Sequence, residues 1–88
     1  MIYISILIII YMKVTVYGTK TCIWCVKTRE FLKEHKIKFN DIDIEKSKKA
    51  EKIMIKISGQ EGFPVIDIGG KIVLGYDKDK LRRLLAKK

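Results

Sequence analysis

Two cysteines, Cys22 and Cys25, are the only thiols in the chain, and they stand three positions apart in Thr21-Cys22-Ile23-Trp24-Cys25. A thiolate that attacks a disulfide forms a mixed disulfide, and a second thiol close by can resolve it. Two residues between the cysteines at the start of a helix keep both sulfurs within bonding reach. Unpaired N–H groups and the dipole at such a helix start lower the thiol pKa from its free value of about 8.5. The spacing therefore points to a thiol–disulfide redox site, with Cys22 the exposed nucleophile and Cys25 the resolving thiol. Lys20, two residues before Cys22, could add positive charge, and Trp24 could meet partners beside the reactive sulfur.

The elements that must hold the pair can be read around it. Lys13 to Tyr17 alternates and is β-branched, as a strand does. Thr21 to about Lys36 has helical spacing, with Cys25, Thr28, Leu32 and His35 on one face, Phe31 beside them and Thr21 as N-cap. Ile37 to Ile44 reads as a second strand whose alternation slips at Asn40-Asp41. Glu45 to Ile57 reads as a helix packed through Ala50, Ile53, Met54 and Ile57, and Ser58-Gly59 ends it. Val65–Ile68 and Lys71–Leu74 form a hairpin around Gly69-Gly70. Asp77 to Lys87 is a last helix with Leu81, Leu84 and Leu85 inward. The order is βαβαββα. It predicts an α/β fold with a four-stranded mixed sheet, a right-handed parallel crossover first, and helices on both faces.

Several residues read as plain structure. Strand one carries no carboxylate, and the alternation turns Asp41 and Asp43 toward solvent, so a buried acid beside Cys25 is not supplied from there. His35 stands too far along the helix to join the cysteines at a metal, and Met54 belongs to the core. Gly69-Gly70 is a turn and not a phosphate loop, because no Lys-Ser/Thr follows it. Pro64 is the only proline. At the head of a strand after a loop it is placed where a cis bond is tolerated, although the bare sequence favours trans.

Eighty-eight residues make one domain with a modest core. The 48% hydrophobic and 33% charged fractions exclude a disordered chain. Lysine and isoleucine each occur sixteen times, and asparagine and glutamine once each. Such a bias fits AT-rich coding or adaptation to heat. The net charge of +9 is spread along the predicted helices with no interleaved aromatics to stack bases. It reads as a lysine-rich solvated surface with no nucleic-acid role, and leaves a field that draws acidic partners. Two cysteines are too few for a secreted disulfide framework and suit a reducing compartment, the cytoplasm. No repeat, low-complexity segment or linker is present.

Residues 1–12 are almost wholly apolar and uncharged. They are too short to span a bilayer, which needs about twenty residues. They also lack the positive start and small-residue cleavage site of a secretory signal. A misassigned start or dispensable extension over 1–11 is the first reading, a membrane tether the second and an added strand the third.

Together, Val16-Tyr-Gly-Thr-Lys-Thr-Cys22-Ile-Trp-Cys25, then Gly62-Phe-Pro64-Val-Ile-Asp67, then Gly75-Tyr-Asp77 resemble the glutaredoxins. The likeness is strongest to small glutaredoxin-like redoxins of bacteria and archaea, and it covers residues 12–88. It implies a thioredoxin-like fold, a cis Pro64 and a dithiol reductase. It also implies a substrate groove made by Cys22, Phe63, Pro64 and the Gly75-Tyr76-Asp77 turn, which holds glutathione in members that use it. The chain departs from the family pattern with Ile23 after the first cysteine, Phe63 before the proline, Lys20 shifted by one position and a shortened Gly75-Tyr76. These departures fall on glutathione-facing positions. The electron donor implied is glutathione or a thioredoxin reductase. The substrates implied are protein disulfides or glutathione mixed disulfides, acted on by a monomer without a resident cofactor. Two other functions fit the same residues. The cysteines are half of a four-thiolate site, so a dimer or added thiols could hold zinc or an iron–sulfur cluster. Alternatively, the fold could serve as an interaction scaffold.

Overall fold

Strand β1, Val14–Gly18, is buried at all five positions, because it runs through the middle of the sheet with cover on both faces. A computed structural model of the chain describes residues 13–86. The apolar run over residues 1–12, with the extension assigned to 1–11, lies outside the described residues. After β1 come α1 (Ile23–Glu34), β2 (Asn40–Asp43), α2 (Lys48–Ser58), β3 (Val65–Ile68), β4 (Lys71–Leu74) and α3 (Lys78–Ala86). This is the predicted βαβαββα order. The sheet order is β2-β1-β3-β4. β1 pairs with β2 in parallel, and β3 pairs antiparallel with both β1 and β4.

Alternation along the strands divides the core in two. Val14 and Val16 of β1, Ile66 and Ile68 of β3 and Val73 of β4 face α1 and α3, where Phe31, Leu32 and Leu81 complete one cluster. Tyr17 and Val65 face the other way and join Ile44 and Met54 of the α2 side. The slip at Asn40-Asp41 follows from this double cover. Ile37 and Phe39 pack on the first cluster, whereas Ile42 packs on the second. Apolar residues are needed on both faces, so a clean alternation cannot appear.

Three expectations need correction. Strand β2 covers only Asn40–Asp43, and Ile37 to Phe39 lead into it as irregular chain. In α2, Ile53 is exposed while Ile55 and Ile57 pack against the second cluster. Ile53 and Ile55 flank Met54 on opposite sides of the helix, and only one flank meets the sheet. Helix α1 begins at Ile23, and its N-cap is Cys22 instead of Thr21. Helix α2 is capped by Ser47, whose Oγ accepts from the Ala50 N–H at 3.1 Å, and it ends at Gly59 with a left-handed φ of 75°.

Candidate functional site

The turn from β1 into α1 carries the site. Thr19 is buried, and its Oγ1 accepts from the Cys22 N–H at 3.2 Å. That bond bends the chain so that the Cys22 side chain, and not a threonine, meets the open end of the helix. Cys22 Sγ then accepts from the Cys25 N–H at 3.4 Å, a normal length for a sulfur acceptor. The first turn of α1 contains no acidic residue, whereas α2 has Glu51 and α3 has Asp79 there. No carboxylate on that turn competes with the sulfur for the positive end of α1.

The two thiols are unlike. Cys22 is half-buried and Cys25 is fully buried, and both are free. Burial works against a charged Cys22. The Cys25 thiol, the N–H groups of Cys25 and Trp24, and the Arg29 charge outweigh it, so the Cys22 pKa lies below its ordinary value. For Cys25, burial is the main cause of a pKa pushed up to about 11; the Thr19 N–H opposes it, and the nearby Cys22 adds to it. None of the groups acting on Cys25 is a carboxylate. Asp41 is instead paired with Arg29 at 2.9 Å on a side chain that is 48% exposed.

An asymmetric pair has a direct consequence for reactivity. Reduced protein treated with iodoacetamide at neutral pH is expected to gain one adduct, on Cys22. The rate should fall as pH drops through the Cys22 pKa, and the midpoint should lie below that of a free cysteine. Peptide mass spectrometry reads this, and equal labelling of both cysteines would refute the asymmetry.

Gly18 makes room for the buried sulfur. A Cβ added there would lie 2.5 Å from Cys25 Sγ and 3.8 Å from Pro64 Cβ, so β1, the second cysteine and the proline converge at one point. The Phe63–Pro64 bond is cis. This corrects the trans reading of the bare sequence and agrees with the family resemblance. Pro64 is buried, and its carbonyl accepts from the Gly75 N–H at 2.8 Å. This bond draws the Gly75-Tyr76-Asp77 turn toward the proline. Tyr76 stacks on Trp24 with ring centroids 6.3 Å apart and meets the edge of Phe31 at the same separation.

The residues singled out from sequence thus divide by what holds them. Cys22, Cys25, Trp24, Pro64 and Tyr76 are brought together by the contacts just given. Phe63 precedes the proline and is 41% exposed, and Ile23 at 60% and Trp24 at 53% are exposed on the first turn of α1. Lys20 is exposed and makes no hydrogen bond or ion pair among the described residues. Asp77 caps α3, its Oδ1 accepting from the Lys80 N–H at 3.1 Å. Among the described residues, no group of three or more His, Cys, Asp or Glu side chains is placed to hold a metal. Thr19, Gly18 and Arg29 were not anticipated. Arg29 did leave a signal: positions 22, 25 and 29 share one side of a helix at i, i+3 and i+7.

The family model for glutaredoxin matches residues 8–73. This chain belongs to the glutaredoxin family. A curated relative, a glutaredoxin-like 8.6 kDa protein in the rubredoxin operon of Clostridium pasteurianum, is 39% identical over 74 residues, covering 84% of this chain and 99% of that protein. The crystal structure of a glutaredoxin from Archaeoglobus fulgidus is 36% identical and superposes with a TM-score of 0.77, covering 88% of this chain and 89% of that one. A glutaredoxin from Methanosarcina mazei, 26% identical, gives 0.76 over 86% of this chain and 80% of its own. The glutaredoxin fold here is thioredoxin-like, with the redox-type cysteine pair at the junction of its first strand and helix. No helix among the described residues is long and apolar enough to cross a membrane.

Proposed function

We propose that this glutaredoxin is a dithiol–disulfide oxidoreductase that reduces disulfides of proteins, with Cys22 attacking and Cys25 resolving. The observation that carries the reading is the inequality of the two thiols. One is accessible, with its pKa lowered at a helix start, and the other is fully buried beside it with a pKa pushed up to about 11.

The cycle balances in thiols. The Cys22 thiolate attacks one sulfur of the substrate disulfide. A Cys22–substrate disulfide forms, the substrate S–S bond breaks, and the departing thiolate takes a proton. Cys25 then loses its proton to solvent or to a departing thiolate and attacks Cys22 Sγ. The second substrate thiol leaves, and the pair is left as a disulfide. Two electrons and two protons have passed to the substrate. The timing of the second step is built into the pair. The negative charge and hydrogen bonding of Cys22 raise the Cys25 pKa. Both effects vanish once Cys22 is covalently engaged, so Cys25 becomes more acidic when it must act. Burial, the largest influence on Cys25, persists through the first step.

Ile23, Trp24 and Phe63 favour an apolar stretch of protein around the substrate disulfide over a small charged tripeptide alone. In this reading Phe63 and Pro64 dock the substrate chain, and Tyr76 supports Trp24. Lys20 and Asp77 supply charge at the two ends of the docking surface. The protein acts as a monomer in the cytoplasm, without a resident cofactor. A coupled insulin-reduction assay tests both the reaction and the donor. Turnover is expected with NADPH and a thioredoxin reductase, and weaker turnover with glutathione and glutathione reductase. Absence of turnover with both donors would defeat the proposal, and a visible chromophore in the purified protein would turn attention to the cluster-binding alternative.

A further inference from the structure

One long side chain from further along α1 reaches back to the turn that carries the Cys22–Cys25 pair. Arg29 lies two turns along α1 from Cys22, and its side chain is only 13% exposed. Its Nε donates to Asp41 Oδ1 on β2 at 2.9 Å, and its Nη2 donates to the Thr19 carbonyl at 2.7 Å. The planar guanidinium thus joins three elements: the helix that carries the cysteines, the neighbouring strand and the turn between β1 and α1. Thr19 is the residue through which both sulfurs are set. Its Oγ1 holds the Cys22 N–H at 3.2 Å, and its own N–H faces the Cys25 sulfur. A single residue therefore touches both cysteines, and Arg29 grips that residue by its carbonyl.

We infer that Arg29 is a positioning residue of the redox pair: tethered to Asp41, it fixes the Thr19 peptide and places a permanent positive charge behind the two sulfurs. The inference rests on the oxidoreductase reading above and adds to it the residue that holds the pair in its reactive arrangement. The groups facing Arg29 are Asp41 from β2, the Thr19 carbonyl from the turn, and Cys22 and Cys25 from its own helix end. Its charge favours the thiolate at both cysteines. An arginine suits the task because its fork can donate to a carboxylate and a carbonyl at once with the charge retained, whereas a lysine brings one compact ammonium.

The test needs no substrate for its first reading. Thiolate absorbance near 240 nm is titrated against pH in the reduced wild type, Arg29→Met, Arg29→Lys and Ile57→Ala, and insulin reduction at pH 7 is measured on the same samples. Arg29→Met is expected to raise the Cys22 pKa and to slow exchange by about tenfold to a hundredfold, as a displaced reacting group does. Arg29→Lys should recover most of the pKa change through its charge and only part of the rate. Ile57→Ala weakens the second core cluster without touching the turn, and it should leave the Cys22 titration where it was. An unchanged Cys22 titration in Arg29→Met, or an equal shift in Ile57→Ala, would overturn the inference. If Arg29→Met does not fold, Arg29→Gln is titrated in its place with the same expectation for the pKa. Wild-type protein without exchange activity would defeat the oxidoreductase reading alone, because the titration still reports on Arg29.

Discussion

Cys22→Ser is expected to lose disulfide reduction completely, while Cys25→Ser keeps the first chemical step and stalls at the second. Serine leaves the shape of the turn nearly unchanged. Its Oγ can still cap α1 by accepting the Cys25 N–H, so the variant should fold. What it lacks is a group that ionises near neutral pH and attacks sulfur. Cys25→Ser retains the half-buried Cys22 thiol at the helix start, and the attack on substrate proceeds. No second sulfur then stands beside the mixed disulfide. The variant should accumulate as a covalent adduct through Cys22, visible as a mass increase equal to the substrate and removed by dithiothreitol. The two variants separate the roles by kind of failure. If Cys25→Ser were inert and Cys22→Ser trapped substrate, the assignment would have to be exchanged. Retention of full activity by Cys22→Ser would end the dithiol mechanism altogether.

Leu32→Ala is expected to be strongly destabilising while leaving the reactive pair untouched. Leu32 is fully buried on α1, in the cluster it shares with Val14, Val16, Phe31, Ile66 and Leu81. The substitution removes three carbons from a site enclosed by a helix and a central strand, where neighbours can collapse only partly. Such changes cost about 2–5 kcal/mol. A whole domain has about 5–15 kcal/mol to lose. For a domain of this size each kcal/mol moves Tm by about 4–8 °C. A fall of roughly 10–30 °C in a thermal melt follows, with the reactive site intact in whatever fraction remains folded. A drop below about 5 °C would mean that α1 is held chiefly by other contacts. The damage should not resemble that of Cys22→Ser. Leu32→Ala loses stability first and keeps the Cys22 titration at low temperature, whereas the cysteine variants lose turnover and keep the fold.

Much of this arrangement is written in local sequence. Strand and helix periodicity gave the order of elements, because both sheet faces must be filled from the chain's apolar positions. The cysteine spacing gave the site. Features decided by long-range contact were not legible in the same way. The grip of Arg29 on Asp41 and Thr19 joins residues twelve and ten positions apart. Nothing in the spacing of charges selects that pair from nineteen basic and ten acidic residues. Helical spacing from Ala50 pointed to Ile53, but the sheet meets the other flank of Met54, where Ile55 packs. The N-cap of α1 was misread because threonine is the usual oxygen donor there and Thr21 stood in the right place. The buried hydroxyl of Thr19 moved the turn on by one residue and gave the cap to a sulfur.

That sulfur cap ties the structure of α1 to the electrons the protein carries. In the reduced state the Cys22 thiolate places a negative charge at the helix's positive end. In the disulfide state that charge is gone, and the helix start keeps at most a weak neutral acceptor. The helix therefore stabilises the reduced protein relative to the oxidised one. An N-cap is worth about 1 kcal/mol. For a two-electron couple that corresponds to about 20 mV toward a more oxidising potential. The cap that makes Cys22 reactive thus also makes the protein hold its electrons slightly more tightly. Speed of attack and driving force for reduction are set against each other at one helix end.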